Sequence, residues 1–228
     1  MLLEATGAQV YVPVDIAGEF LESATARLAR RYPRLTICPV HADFTRPLAL
    51  PALEGPVTGF FPGSTIGNFT HAAAVDLLRS FKATLGPQAN LVIGIDTRKN
   101  ARLLEAAYDD AAGVTAAFDL NLLHRINREL GGTVPVDRFD HRAVWNDALG
   151  RIEMHLVAQA NVDFCVAGQS FAMRSGETIH TENSYKYTAQ EARLLARASG
   201  WEPLACWSDV DALFSLHVWT AGCEGMTP

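Results

Sequence analysis

The sequence has few cysteines, and they lie too far apart to suggest a bridge or a metal site. The four are Cys38, Cys165, Cys206 and Cys223 in a chain of 228 residues, and none pairs with a histidine at ligand spacing. Neither a disulfide framework nor a zinc site is therefore predicted. We expect buried structural thiols in a reducing cytoplasm, and no bound metal.

The chain also lacks an excess of basic residues and any long apolar run. Its formal net charge is -6, with no basic stripe that could bind phosphates, which argues against a nucleic-acid partner. The apolar runs, such as residues 91–95, are too short to span a bilayer. Residues 1–10 have no basic stretch followed by an apolar one, so no signal peptide is predicted. We expect a cytoplasmic protein without nucleic-acid or membrane partners.

The first part of the chain alternates apolar runs with segments of helical periodicity. The apolar runs predict strands, and the segments between them predict helices with one apolar face. The predicted strands are 9–14, 35–40, 56–61 and 91–95, and the predicted helices are 17–31 and 71–85. In the helix 17–31, Phe20, Leu21, Ala24 and Leu28 fall on one face. Continuous apolar strands separated by helices indicate a mostly parallel sheet covered on both faces.

The pattern changes after Asp96. Two helices, 99–108 and 114–130, precede several β-rich segments with alternating polarity, which predict antiparallel hairpins inserted into the α/β body. These segments are 141–145, 151–157, 162–166, 170–173 and 178–185. A helix at 189–199 and a closing hairpin of strands 201–207 and 213–219 complete the predicted elements.

Three of the first strands are followed by residues suited to a ligand. In open α/β sheets ligands bind beyond the carboxyl ends of the strands, where Asp15, the pair Asp43 and Phe44, and the loop 63–68 lie. An aspartate can accept both hydroxyls of a ribose, and an aspartate beside an aromatic ring can hold an adenine. The plainer alternatives are that the aspartates cap the next element and that Asn68 caps a helix after a tight turn. The series of three favours a nucleoside-containing ligand.

The segment 177–187 is unusually polar for a strand. Alternation places His180, Glu182 and Ser184 on one face. If Glu182 and Ser184 face inward, they form an acceptor and a hydroxyl suited to a ring that carries N–H groups. If they face outward, this is a solvated face of a strand.

Five strings of residues resemble the histidine-specific S-adenosylmethionine-dependent methyltransferases. They are FFPGSTIGN (60–68), AYDDAAGVTAAF (107–118), NRELG (127–131), RIEM (151–154) and ETIHTENSYKY (177–187). The resemblance covers nearly the whole chain in matching order. It implies methyl transfer from S-adenosylmethionine to the α-amine of L-histidine, which yields trimethylhistidine (hercynine) for ergothioneine biosynthesis. The implied chemistry is in-line displacement governed by positioning, without a covalent nucleophile or a metal.

For the methyl donor, the resemblance implies that Asp15 binds the ribose of S-adenosylmethionine. It implies that Asp43 and Phe44 hold the adenine, and that Gly63 offers its carbonyl near the substrate amine.

For the acceptor, the resemblance implies that Asn68 and Tyr108 hold the histidine carboxylate. Glu182 and Ser184 would bind the imidazole, and Met154 would line the pocket. These assignments agree with the inward-facing alternative for the polar strand. The partner is then a small molecule, L-histidine, and we expect a monomer.

The resemblance also implies a doubly wound, class I methyltransferase-like sheet in residues 1–98 and 187–228. Residues 99–186 would form an inserted α+β substrate-binding domain. In the family a first strand ends in a Glu-x-Gly-Ser-Gly-like loop around the methionine part of the cofactor. Nothing in residues 1–10 resembles it, so we expect an N-terminally truncated member.

Three functional hypotheses stay open. The chain is an enzyme that is active when its N-terminal section is present, a non-catalytic module that keeps the histidine pocket, or a methyltransferase that acts on a related amine.

Overall fold

The structure is a computed structural model, and it describes residues 2–222. The expectation about Cys223 therefore lies outside the described residues. The helices are α1 (Leu2–Thr6), α2 (Gly18–Arg31), α3 (His71–Leu85), α4 (Ala101–Tyr108), α5 (Val114–Leu130) and α6 (Ala189–Ala198), with 3-10 helices at Thr65–Asn68 and Val136–Arg138. The first strands are β1 (Val10–Tyr11), β2 (Val14–Asp15), β3 (Thr36–Ile37), β4 (Val40–His41), β5 (Thr58–Phe61) and β6 (Asn90–Asp96). The later strands are β7 (Phe139–Asn146), β8 (Arg151–Ala158), β9 (Val162–Val166), β10 (Gln169–Met173), β11 (Thr178–Tyr185), β12 (Glu202–Ser208) and β13 (Phe214–Thr220).

The strands before residue 97 pair in parallel, as the apolar runs predict. β1 pairs with β3, β2 with β4, and β5 with β6. Two runs expected to be single strands are each divided into two short ones, at Pro13 and at Pro39. The reason is that proline has no N–H to give to the ladder. The pairing between the two segments continues past these prolines, since the N–H of Val40 donates to the carbonyl of Pro13 at 2.9 Å.

The larger sheet has the order β12-β13-β6-β5. β13 runs antiparallel to both of its neighbours, so the predicted closing hairpin is confirmed. Helices α3 and α6 pack against this sheet and against each other. The centre of this core is fully buried, and its largest members include Leu78, Ile93, Trp201 and Trp219. The indole N–H of Trp201 donates to the carbonyl of Leu78 at 2.9 Å, which satisfies a buried donor.

The pairs formed by β1 to β4 are separate from the four-stranded sheet. Among residues 2–222, β5 pairs only with β6, and its other edge carries no strand. An aromatic cluster joins the two parts. Phe44, which follows β4, lies 5.6 Å from Phe61 of β5 and 6.4 Å from Phe81 of α3, between ring centroids. The residues that follow β4 are thereby anchored against the larger sheet.

Between β6 and α6 the chain forms a second layered unit. β7, β8 and β11 make an antiparallel sheet, and β9 and β10 make a hairpin. Side chains of β8 alternate in burial, and the buried side packs on α4 and α5. Leu123 and Leu156 centre one core of this unit, and Leu104 with Ile152 centre another. The expected division of the chain at residues 98/99 and 186/187 stays a prediction.

Two expectations about burial are wrong. Phe20 was placed on the buried face of the first long helix, yet it is 67% exposed, and Leu21 is the buried residue of α2. Cys38, Cys165 and Cys206 are free, but the last two are exposed, because they lie on the outward-facing positions of β9 and β12. In residues 2–222, no helix combines the length and the apolar character needed to cross a bilayer.

Candidate functional site

A β-bulge in β11 decides which side chains of this strand enter the site. The pairing of β11 with β8 shifts register between His180 and Glu182. After the shift, Glu182 lies opposite Met154 on the buried side of β8, and Ser184 follows on that side. Before the shift, His180 lies opposite His155 on the outer side. The inward-facing alternative therefore holds for Glu182 and Ser184, and the expectation that His180 shares their face is wrong.

The buried end of β11 holds a cluster of two hydroxyls and an ammonium. The phenol oxygen of Tyr108, at the end of α4, lies 2.9 Å from the hydroxyl of Ser184. The ammonium of Lys186 donates to both oxygens at 2.7 Å and pairs with the carboxylate of Asp96 at 2.8 Å. Lys186 was not predicted as a site residue, although alternation from Glu182 through Ser184 places it on the same face. Tyr108 and Ser184, expected to hold opposite ends of the substrate, contact each other here.

A second buried pair fixes the backbone of Tyr108. The Nδ1 of His141 lies 2.8 Å from the carboxylate of Asp119, and its Nε2 lies 2.7 Å from the carbonyl of Tyr108. Both side chains of the pair are buried. The carbonyl can only accept, so the Nε2 of His141 donates to it, and Asp119 holds the other ring nitrogen. The sequence signal for Asp119 was its position four residues before the buried Leu123, on the inner face of α5.

Glu182 is a half-buried carboxylate that has no hydrogen-bond or ion-pair partner among residues 2–222. Burial raises its pKa above the ordinary value, and the negative charge of Asp119 adds to the rise. The positive charge of Lys186 opposes it. Because the half-buried carboxylate of Glu182 has no protein donor, it can accept a hydrogen bond from an N–H of a ligand.

The loop that follows β5 rests on the end of β6. Gly63 and Ser64 both have positive φ, of 75° and 58°, and the Ser64 hydroxyl accepts the N–H of Asp96 at 2.9 Å. Asn68 is exposed, and its side chain has no hydrogen bond among the described residues. The alternative that Asn68 caps the next helix is wrong, because the Thr70 hydroxyl caps α3. Asn68 is free to bind a ligand.

Gly67 lets this loop approach β11 closely. A Cβ at this position would lie 2.7 Å from the carbonyl oxygen of Tyr185 and 3.4 Å from the Ser184 hydroxyl. We expect Gly67→Ala to displace the loop, to cost about 1–3 kcal/mol of unfolding free energy, and to weaken ligand binding at Asn68. Urea unfolding and calorimetry measure both effects. A variant as stable as the parent would show that the loop does not rest on β11.

The residues predicted to bind ribose and adenine lie at one edge of the small parallel pairs. Asp15 is paired with His41, so Asp43 follows two residues later at the same edge. One carboxylate oxygen of Asp15 accepts the N–H of Ala17 at 2.8 Å, just before α2, and the other has no partner in the described chain. Asp15 thus organises the turn before the helix, but the capping alternative is wrong, because Ala17 is the N-cap residue of α2 and no side chain caps this helix. The second oxygen of Asp15 is a free acceptor, and its predicted role in ribose binding stays a prediction.

The side chain of Asp43 is bound by residues of the turn that follows it. One oxygen accepts the N–H of Thr45 at 2.9 Å and its hydroxyl at 2.6 Å, and Arg46 lies 3.3 Å from the other oxygen. The bonds from Thr45 hold the pKa of Asp43 below its usual value, with a smaller effect from Arg46. The carboxylate is therefore ionised at neutral pH and can only accept hydrogen bonds. In the described chain no helix begins directly after Asp43, so the capping alternative is wrong here.

A family model described as histidine-specific methyltransferase, SAM-dependent, matches residues 1–221. The chain belongs to this family. It is 36% identical over 210 residues to the histidine N-alpha-methyltransferase of Mycolicibacterium smegmatis, a match that covers 91% of this chain and 65% of the relative. It is 28% identical over 165 residues to the ergothioneine biosynthesis protein 1 of Schizosaccharomyces pombe, covering 72% of this chain and 21% of the relative. The chain thus spans just under two thirds of the bacterial relative.

Among solved structures, the CcbJ methyltransferase from Streptomyces caelestis is similar, with a TM-score of 0.52 and 15% identity. That match covers 97% of this chain and 78% of the other. It shows the fold, which is the predicted α/β methyltransferase-like one.

The residues predicted to bind the nucleoside fit an adenosine group in chemical type. Asp15 keeps an unpartnered oxygen, and Asp43 is an ionised acceptor beside the ring of Phe44. A ribose presents hydroxyl donors and an adenine presents an amine and a flat face, which match these groups.

A cluster on the outer face of the β7-β8-β11 sheet does not belong to this site. Ligand atoms of Glu153, His155 and His180 lie within 4.8 Å of one another. The two imidazoles stack on each other, with ring centroids 4.6 Å apart and planes 26° apart. The guanidinium of Arg151 already binds Glu153 at 2.7 Å. We assign the cluster to the packing of the sheet surface.

Proposed function

We propose that this chain forms the acceptor-binding and adenosine-binding parts of a methyltransferase. The reaction moves methyl groups from S-adenosylmethionine to the α-amine of L-histidine and yields hercynine for ergothioneine biosynthesis, in the cytoplasm and without a metal. The observation that carries the proposal is the inner face of β11. There an unpartnered carboxylate, Glu182, precedes the cluster of Ser184, Lys186 and Tyr108.

Recognition of the acceptor follows from the polarity of these groups. Glu182 accepts an N–H of the imidazole, and the cluster around Tyr108 donates to the α-carboxylate together with Asn68. Buried polar groups left unpaired are costly, so the site rejects amino acids that lack a ring N–H more strongly than an apolar pocket would. Met154, which is 4% exposed and packs in the core beside Tyr108, shapes the wall between the two ends.

Transfer itself requires positioning more than acid–base groups. S-adenosylmethionine supplies a methyl group activated by its sulfonium. The residues of this chain hold the nitrogen of the neutral amine in line with the S–CH3 bond that breaks, and they limit rotation of the amine. The carbonyl of Gly63 accepts a hydrogen bond from an amine N–H. Pinning the amino acid through its carboxylate and ring leaves the amine free to be methylated repeatedly in one pocket.

The proposed histidine site has more support than the proposed S-adenosylmethionine site. Among residues 2–222, no strand lies beside the free edge of β5. A module that binds histidine without transferring methyl groups is therefore the second candidate.

Incubation of the purified chain with S-adenosylmethionine and L-histidine, followed by mass spectrometry, tests the proposal. We expect histidine to gain methyl groups, up to three, while histamine and phenylalanine gain none. Histidine binding without methyl transfer would favour the binding module. Transfer to another amine in preference to histidine would show that the substrate is wrong.

A further inference from the structure

Lys186 is the most deeply buried charged side chain near the site, with 1% of its surface exposed. Its ammonium has three hydrogens, and each has a partner: the phenol oxygen of Tyr108, the hydroxyl of Ser184 and the carboxylate of Asp96. The ammonium also lies 4.5 Å from the centre of the Tyr108 ring. With all of its hydrogens engaged, Lys186 acts on a ligand only through the groups that it holds.

The hydrogen-bond geometry leaves one hydroxyl hydrogen free. Tyr108 and Ser184 each accept from Lys186, and their oxygens lie 2.9 Å apart. One of the two hydroxyl hydrogens therefore lies between the oxygens. The other has no acceptor in the described chain, so it can point only at a ligand or at water. The pair thus behaves as a single oriented donor.

The surrounding charges favour an anion at this donor. Asp96 pairs with Lys186 through one oxygen and with Lys99 through the other, at 2.8 Å and 2.5 Å. Two positive charges around one negative charge leave a net positive charge. Glu182 lies four residues before Lys186, or about 13 Å along an extended strand. The face of β11 is therefore positive at one end and negative at the other.

We propose that Lys186 is a positioning residue of the acceptor site. Anchored on Asp96, it holds the Tyr108 and Ser184 hydroxyls as one donor and supplies the positive charge that selects an α-carboxylate. Ser184 then serves the carboxylate end of the amino acid, and Glu182 alone accepts from the imidazole. This inference rests on the proposed function, because it assumes that the ligand is an amino acid with an imidazole ring.

Comparison of L-histidine with histamine, which lacks the carboxylate, separates positioning from a purely structural role. In calorimetric titrations of Lys186→Met we expect the affinity for histidine to fall about ten- to hundredfold, the range of a hydrogen bond to a charged group. The affinity for histamine should change little. Lys99→Met is the matched control for the hydroxyl contacts, because Lys99 also pairs with Asp96 but contacts neither hydroxyl; it should lose less of the preference for histidine than Lys186→Met does.

Removing one partner of a buried ion pair can prevent folding. The double variant Asp96→Asn/Lys186→Met removes both charges together and keeps the test available. Because the charge of Lys99 remains, the expected loss of preference comes from the misaligned hydroxyl donor and is smaller than in Lys186→Met. A folded variant that prefers histidine as strongly as the parent does would overturn the proposal. A parent chain that binds neither compound would instead count against the proposed function.

Discussion

The Glu182→Ala variant should bind L-histidine about ten- to hundredfold more weakly than the parent, because it loses an acceptor for the imidazole N–H. Glu182 faces the buried side of β8 and has no protein partner, so its carboxylate is available to a ligand. Calorimetry with histidine measures the loss. In a turnover assay the same change should appear mainly as a raised requirement for histidine.

His180→Ala is the matched control for this prediction. Simple alternation places His180 beside Glu182, whereas the bulge places it on the opposite face of β11. We expect unchanged histidine binding in His180→Ala. If His180→Ala weakened binding and Glu182→Ala did not, the assignment of the inner face would be wrong.

Glu182 should also make the stability of the fold depend on pH. Burial raises the pKa of Glu182 above its ordinary value of 4.5, so between the two pKa values the folded state binds more protons than the unfolded state. Stability therefore falls as the pH rises from about 4.5 through the folded pKa. Glu182→Gln lacks this loss, and its melting temperature should exceed that of the parent at pH 7. The difference should vanish below pH 4.5; a difference that persisted there would point to another cause.

Asp119→Ala should destabilise the fold by about 1–3 kcal/mol, because it leaves a buried ring nitrogen of His141 without its hydrogen-bond partner. Asp119 is 3% exposed, and His141 holds the carbonyl of Tyr108 in place. We expect a loss of histidine affinity as well, since Tyr108 loses its backbone anchor. Urea unfolding gives the free energy.

Asp140→Ala provides the control for this second prediction. Asp140 is an exposed aspartate of β7, next to His141, and its removal should change stability by less than about 0.5 kcal/mol. Replacing Asp119 and His141 together by leucine should recover part of the stability lost in Asp119→Ala, because no unpaired buried polar group remains. A cost below about 1 kcal/mol for Asp119→Ala would contradict the buried pair.

Periodicity predicted most of the regular elements because burial and backbone geometry act over many residues at once. The bounds of α3, α5, β9 and β11 are those expected, and the closing hairpin pairs as expected. The strands containing Pro13 and Pro39 were predicted as whole runs, since apolar character continues through a proline although the ladder does not.

The cluster of Tyr108, Ser184, Lys186 and Asp96 was harder to predict, because it depends on contacts between segments that are distant in the sequence. A one-residue bulge reverses the face of His180, and no local pattern marks it. From the sequence alone Lys186 would be predicted as an exposed lysine. Only the fold places Asp96, Tyr108 and Ser184 around it. The resemblance supplied roles for the site residues, and these roles stay predictions. The structure adds that Tyr108 is held at both its backbone and its hydroxyl.

The central claim is that this chain recognises histidine through both its ring and its carboxylate. Calorimetric titration of the chain with L-histidine and with L-phenylalanine tests it most directly, because phenylalanine keeps the carboxylate and lacks the ring N–H. We predict that histidine binds at least about a hundredfold more tightly. Equal affinity for the two amino acids, or binding of neither, would contradict the claim.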